Sequence, residues 1–513
     1  MSDSRGVTSN KKLALTITAS FISYLVTFGI SFILSPYIVE KVGVEAYGFV
    51  GLANNFVSYA TLAAVALNAL AGRFITVKIY ENDIEGANRY FSSVLISNGI
   101  ISVFIMTVLT IVWVFLENIV DIPSNFLWDV KLLFAAVFVE CVLSTFGSVF
   151  AVSTFATNNL HLNSLRTIES SIARAVILVL LFMFFSPNIW YLGVTALLMT
   201  LYCVLYNIHY TRKLLPFIHI SFKYFDIGAV KTLLISGVWS LITRLGALMS
   251  EGLDLLITNI FIDSTSMGVL SLAKTIPSLI QSIIGTMVEA FSPNFTILYA
   301  QKKTEELVKA LKQSMKIMGI ISNLPIIILI VCGERFFALW QPTQDARTLY
   351  ILSIMTCAGF ILNGGINCVF NIFVVVNKLK VNSIAVVISG AINVVIVLIL
   401  LNVTELGIYA VAAVSTIITI LRNLIIIIPY SAKCLGLKWN SFYPDAIRPV
   451  IFTLISSALG ILLIIPIPHG GWMSLIVCGA ITGSISVLIG FFVILSRSDR
   501  AVVINKLLRR KHE

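Results

Sequence analysis

Arg244, Glu251 and Asp254 stand inside one apolar stretch, residues 233–261. A charged side chain at the centre of a bilayer costs roughly 2.5–3.5 kcal/mol on insertion scales. Three on one segment therefore demand polar partners or a wet cavity, since lipid offers neither. On a straight helix, at about 100° per residue, Arg244 and Glu251 share a face and Asp254 lies about 60° behind. Arg244 has the chemistry of an oxyanion clamp: its planar fork donates bidentately to phosphate oxygens and stays charged at every relevant pH. Lys274, Arg422 and Arg73 are further cations in or at the ends of apolar runs. Lys274 has snorkelling or an ion pair with Asp254 as its structural alternative, and Arg73 has the role of a topology signal. Arg174 reads as an interfacial anchor or the partner of Glu169. The carboxylates Glu251, Asp254, Glu289 and Glu140 serve either charge balance or proton or sodium coupling. The sequence leaves both uses open.

The elements that must position these groups are membrane helices. Of 513 residues, 58% are hydrophobic and 12% charged, and apolar runs of about twenty residues recur throughout. No alternation over about ten residues marks barrel strands. About fourteen spans are expected, near 13–35, 48–71, 91–116, 132–156, 168–186, 191–210, 232–260, 269–297, 317–333, 349–376, 383–401, 406–430, 449–467 and 473–495. The fold class is therefore all-α and polytopic. The segment QKKTEELVKALKQSMK before the ninth span reads as an amphipathic surface helix.

With the N-terminus inside, the outer loops hold only Lys41, Lys131, Arg335 and Arg347. Nearly all other Lys and Arg then fall in cytoplasmic loops and tails, so both ends are expected in the cytoplasm. This placement explains the net charge of +11 as a topology signal and excludes nucleic acid as partner. The basic tail, LLRRKHE, suits anionic lipid headgroups. Seven scattered cysteines without a CxxC pair read as small apolar residues. With no HExxH motif either, no metal and no cofactor are expected.

Laying residues 47–54 on 267–274 matches Gly48 to Gly268, Leu52 to Leu272 and Ala53 to Ala273. The first span then falls on the seventh, both running outward. The chain reads as two parallel six-helix lobes, residues 1–215 and 216–430, with an extra helix pair and the basic tail in 431–513.

The stretch SPYIVEKVGVEAYGFVGL, with Pro36, Gly43, Glu45, Tyr47 and Gly48, resembles the opening of the bacterial polysaccharide-transporter family. That family contains the O-antigen flippases and shares a superfamily with lipid II flippases and multidrug/toxin extruders. The resemblance implies a central cavity lined by spans one, two, seven and eight, and alternating access in the bacterial cytoplasmic membrane. It implies outward transfer of a polyprenyl-pyrophosphate-linked oligosaccharide, with a polysaccharide polymerase and chain-length machinery as functional partners. Such a substrate needs a buried cation for its pyrophosphate, the role assigned to Arg244 first and then to Lys274, Arg422 and Arg73. It needs hydrogen-bonding groups for the sugar, expected from Asn54, Asn55 and Asn68 on span two, with Trp239 stacking on a ring or simply packing. The stripe Asn363, Asn367 and Asn371 reads rather as interhelical bonding. A drug extruder would want an acid on span one, and residues 13–35 contain none. A lipid II flippase would want cations there, also lacking. A membrane enzyme lacks a large outer loop or a mid-membrane histidine, so the chain is expected to transport and not to catalyse.

Overall fold

In hydrocarbon every backbone N–H and C=O must be satisfied within its own segment, so apolar runs fold as helices. The computed structural model describes residues 3–157, 159–289, 291–376, 378–468, 470–495 and 500, with helices and no strand among them. The basic tail at 507–513 lies outside the described residues. Among the described residues, fourteen helices are long and apolar enough to cross a membrane: Ile22–Val42, Leu62–Tyr80, Ile84–Val114, Leu127–Ala156, His161–Phe184, Trp190–Leu214, Ile227–Phe261, Ser264–Glu289, Thr304–Trp340, Ala346–Val375, Leu379–Val403, Ile408–Cys434, Tyr443–Ile464 and Gly471–Val493. They are numbered here as spans one to fourteen. Most limits lie within a few residues of those expected.

Three expectations need correction. Span two is preceded by a separate helix, Val44–Ala60, and is itself broken into Leu62–Asn68 and Ala71–Tyr80. The expected surface helix before span nine is instead its first turns, within a continuous helix Thr304–Trp340. Its apolar side is buried through Leu307, Leu311 and Met315, and nothing between 304 and 340 terminates it. Span seven is not a straight helix. It runs as α-helix from Ile227 to Ala247, passes through a π-turn at Leu248–Gly252, and resumes at Asp254–Phe261. The wider turn inserts about one residue and rotates the segment beyond it by roughly 100°, so the facial alignment of Arg244, Glu251 and Asp254 expected of a straight helix does not hold.

By contacts the chain divides into two compact units, Met1–Ser271 and Leu272–Glu513. In the first, span seven is held at both its ends, by other spans near its start and by the connection between spans three and four near its end. Near its start, Val230 and Leu233 join Leu67, Ile75, Phe91, Val94 and Phe150 in one apolar cluster. There Gly237 lets the backbone of Ala66 approach so closely that a Cβ would lie 1.9 Å from the Ala66 carbonyl oxygen. Near its end, Asn259 and Asp121 exchange hydrogen bonds: the Asp121 N–H donates to Asn259 Oδ1 at 2.8 Å, and Asn259 Nδ2 donates to the Asp121 carbonyl at 3.0 Å. The two glycines matched by the internal repeat touch each other. A Cβ at Gly48 would meet Gly268 Cα at 2.7 Å, and one at Gly268 would meet the Val44 carbonyl oxygen at 2.4 Å. Small residues allow such backbone contact between membrane helices. Gly43, which starts this helix, has φ 88°, a conformation that only glycine adopts without strain.

In the second unit, spans nine and ten form the centre. Spans thirteen and fourteen pack on span nine through Phe452, Ile464 and Cys478 against Ile327, Val331 and Cys332. Asn323 Nδ2 on span nine donates to the carbonyls of Ile361 (3.0 Å) and Pro449 (3.2 Å). Span twelve, like span seven, carries a π-turn, Asn423–Ile427, immediately after Arg422. Asn423 Nδ2 donates to Asn363 Oδ1, and Asn371 Nδ2 donates to the Val288 carbonyl at 3.1 Å. Two residues of the asparagine stripe thus join helices, as the sequence pattern led us to expect.

Candidate functional site

A polar cavity within the first unit lies between spans four, five and six. Its volume is about 460 Å³, within the usual range of ligand pockets of about 300–1,000 Å³. Each span places one strongly polar residue near its middle: Glu140 on span four, Arg174 on span five and Thr200 on span six. Thr200 Oγ1 donates to Glu140 Oε1 at 2.9 Å. Arg174 Nη2 donates to the Leu192 carbonyl at 3.2 Å. Ser144, Ser148, Ser170, Ser171 and Asn207 add hydroxyl and amide groups to the wall.

A second cavity of about 180 Å³ lies against spans one and five and the helix Val44–Ala60. Arg174 and Ser171 line both cavities, and Thr27 and Ser171 hydroxyls meet between spans one and five at 3.0 Å. Arg174 therefore stands at the junction of the two cavities.

This arrangement corrects the reading of Arg174 as an anchor or as the partner of Glu169. Glu169 is taken by Arg166, one helical turn earlier, and by the hydroxyl of Tyr202. Arg174, another turn on, is left facing the cavity. The signal for it was present in the sequence, because an arginine near the middle of a span is costly unless something uses it. Starting span five at 168 placed that arginine near an end. The helix begins at His161.

The remaining residues singled out by the sequence take other places. Asn68 is bound into a network behind the cavity wall. It exchanges hydrogen bonds with Asn98 at 3.0 and 3.1 Å, and Asn98 Nδ2 also donates to Ser148 Oγ at 3.0 Å. Asn54 Nδ2 turns back to its own helix, donating to the Val50 carbonyl at 3.0 Å, while Asn55 is half-buried. Arg244 and Arg73 are exposed, and Trp239 is half-buried one turn before Arg244. Glu251 lies in the π-turn of span seven. Asp254 comes just after it and is buried at 3% exposure. Beside them, the Tyr59 hydroxyl donates to the Gly252 carbonyl that the π-turn leaves available. Lys274 occupies the single-residue break between Ser264–Ala273 and Thr275–Glu289, and Glu289 ends the latter helix. Arg422 sits at the mouth of the π-turn of span twelve, its Nε donating to Asn423 Oδ1 at 3.4 Å. Breaks of this kind recur at functional sites in membrane helices.

The sequence matches the family described as polysaccharide biosynthesis protein over residues 14–299. The uncharacterized membrane protein EpsK of Bacillus subtilis (strain 168) is 25% identical over 501 residues, covering 98% of this chain and 99% of its own. Among solved structures, the lipid II flippase MurJ in its inward closed conformation superposes with TM-score 0.69 at 15% identity, over 93% of this chain and 99% of that one. An inward-facing multidrug resistance MATE family transporter of the MOP superfamily superposes with TM-score 0.67 at 15% identity, over 82% of this chain and 98% of that one. The chain shares the fold of these two transporters.

Proposed function

Because the chain belongs to the polysaccharide biosynthesis protein family, we propose that it is a flippase that carries a polyprenyl-diphosphate-linked saccharide across the bacterial cytoplasmic membrane. The saccharide is a repeat unit of a surface polysaccharide, O-antigen or similar. Transfer runs from the cytoplasmic to the outer leaflet by alternating access. Both chain ends lie in the cytoplasm, and no bond of the substrate is broken. The observation that carries this reading is the hydroxyl-lined cavity at mid-span, with Glu140 and Arg174 on its wall, inside a fold that is helical membrane segments throughout its described length. A hydroxyl-rich cargo needs such a wall, and hydrocarbon cannot provide it.

Within this reading Arg244 is the cation that meets the diphosphate, Lys274, Arg422 and Arg73 are each a further candidate for that role, and Glu251, Asp254 and Glu289 balance or couple charge. The test is transfer of a fluorescent polyprenyl-diphosphate saccharide across proteoliposomes. Wild type is expected to transfer it, Arg244→Ala to lose transfer, and Arg244→Lys to keep a fraction, because charge matters before fork geometry. Normal transfer by both variants removes Arg244 from the site. Failure of the wild type, with export of a soluble cation instead, replaces the flippase reading by that of an extruder.

A further inference from the structure

We propose that the cavity of spans four, five and six is a saccharide subsite, in which Arg174 and Glu140 hold the hydroxyls of an uncharged sugar ring between them. The inference rests on the proposed function, a saccharide-carrying substrate. It concerns a different place from the cations assigned to the diphosphate.

The argument begins with unused hydrogen-bonding capacity. A guanidinium carries five N–H donors, and among the described residues Arg174 has one acceptor, the Leu192 carbonyl. Glu140 accepts from Thr200, which leaves most of its lone pairs for other donors. Glu140 and Arg174 line the same cavity, yet among the described residues no ion pair within 4.0 Å joins them. Two opposite charges are thus held on one cavity wall, near mid-span, without touching. Leaving them so is expensive in a low dielectric unless something polar lies between them.

The sign of the charges selects the ligand. A cation entering the cavity meets Arg174, and an anion meets Glu140. A neutral polyhydroxyl ring meets no repulsion from either, since each hydroxyl can donate to the carboxylate and accept from the guanidinium. The serine hydroxyls of the same wall extend this pattern to further ring positions.

An independent observation points the same way. Ser35 lies on span one and lines the second cavity, which shares Arg174 with the first. It is 2% exposed, and its Oγ has no hydrogen-bond partner among the described residues. A buried hydroxyl left unmatched is unfavourable. Its position beside Arg174 offers one more contact to a ligand reaching across the junction.

Cys203 lines the first cavity and reports its occupancy. The other half-buried cysteine is Cys434, and the remaining five are buried, so a Cys434→Ser protein in liposomes presents Cys203 as the accessible thiol. Its alkylation rate is measured with a short polyprenyl diphosphate bearing one neutral N-acetylhexosamine, the same lipid bearing a uronic acid, and the bare lipid. The neutral sugar lipid, at ten times its Kd, is expected to slow alkylation about tenfold, and the other two much less. Arg174→Gln is expected to abolish this protection and Arg174→Lys to restore part of it. If Arg174→Gln does not fold, the contrast between sugar-bearing and bare lipid in the parent protein decides.

Equal protection by the bare lipid overturns the inference in favour of a diphosphate site, and stronger protection by the uronic acid overturns it in favour of an anion site. No protection in liposomes that still transfer the lipid overturns the subsite and leaves the flippase reading standing. Protection without transfer supports the subsite and defeats the flippase reading.

Discussion

Replacing Gly237 by alanine tests whether the start of span seven is built into the first unit as closely as the structure shows. The added Cβ would lie 1.9 Å from the carbonyl oxygen of Ala66, 2.7 Å from its carbonyl carbon and 2.9 Å from its Cα. All three are backbone atoms, so no side chain can swing aside. Reaching an ordinary contact of roughly 3.4 Å requires the helix to retreat by about 1.5 Å, a gap that forfeits a large part of the dispersion energy along the seam. Leu67 and Leu233, both 0% exposed, lie on that seam. Overpacking of this kind costs about 3 kcal/mol at the upper end of its range. The better helix propensity of alanine returns about 1 kcal/mol, leaving a net loss of about 2 kcal/mol. For a unit of this size that is a fall in Tm of about 4–8 °C. The assay is thermal unfolding in detergent, followed by exposure of buried thiols. Gly29→Ala is the control, because nothing lies within 4 Å of its added Cβ, and its Tm is expected to hold or rise. Equal melting of Gly237→Ala and Gly29→Ala would refute the packing argument.

Three further outcomes are expected. Gly48→Ala and Gly268→Ala should each lower Tm, and the double variant should cost less than the sum of the two, since both additions strain the same contact; a double-mutant cycle measures this, and strict additivity counts against it. Arg335→Met should loosen spans thirteen and fourteen, because the guanidinium donates to the Ile467 carbonyl at 3.2 Å and the Ile464 carbonyl at 3.5 Å at the end of span thirteen; the rise in alkylation of buried Cys478 reads it, and an unchanged rate counts against it. Asp345 caps span ten, and the Thr348 hydroxyl and N–H that it accepts from hold its carboxyl below the ordinary 3.8. A lowered carboxyl contributes stability above its unfolded pKa and loses it as pH falls through the folded value. The Tm gap between wild type and Asp345→Ala should therefore be open at pH 7 and close below about pH 3; a gap that persists in acid excludes the charged cap.

The fourteen spans were legible because a spanning helix is a local object. Its length is set by bilayer thickness, and its backbone is satisfied within the segment, so hydropathy alone locates Trp190–Leu214 or Leu379–Val403 to within a few residues. Gly48 and Gly268 stand out in the sequence as a matched pair, but their contact does not. Family resemblance was readable from a short stretch, SPYIVEKVGVEAYGFVGL, and part of its meaning is physical: Gly43 needs a positive φ and Gly48 a backbone neighbour.

What the sequence determined by itself, then, is that this chain lives in a membrane as a bundle of helices, and which of its charges lie within reach of hydrocarbon. The tertiary structure alone decided which of those charges meet. Glu140, Arg174 and Thr200 are far apart in the chain and share a cavity only because three spans place them at similar depth. Glu169 was the nearer partner for Arg174 in sequence, but Arg166 and Tyr202 had already taken it. The π-turns at Leu248–Gly252 and Asn423–Ile427 likewise carry no local mark. The physical reason is one of range: burying backbone in lipid is settled residue by residue, whereas the pairing of charges depends on distances that exist only once the helices have packed.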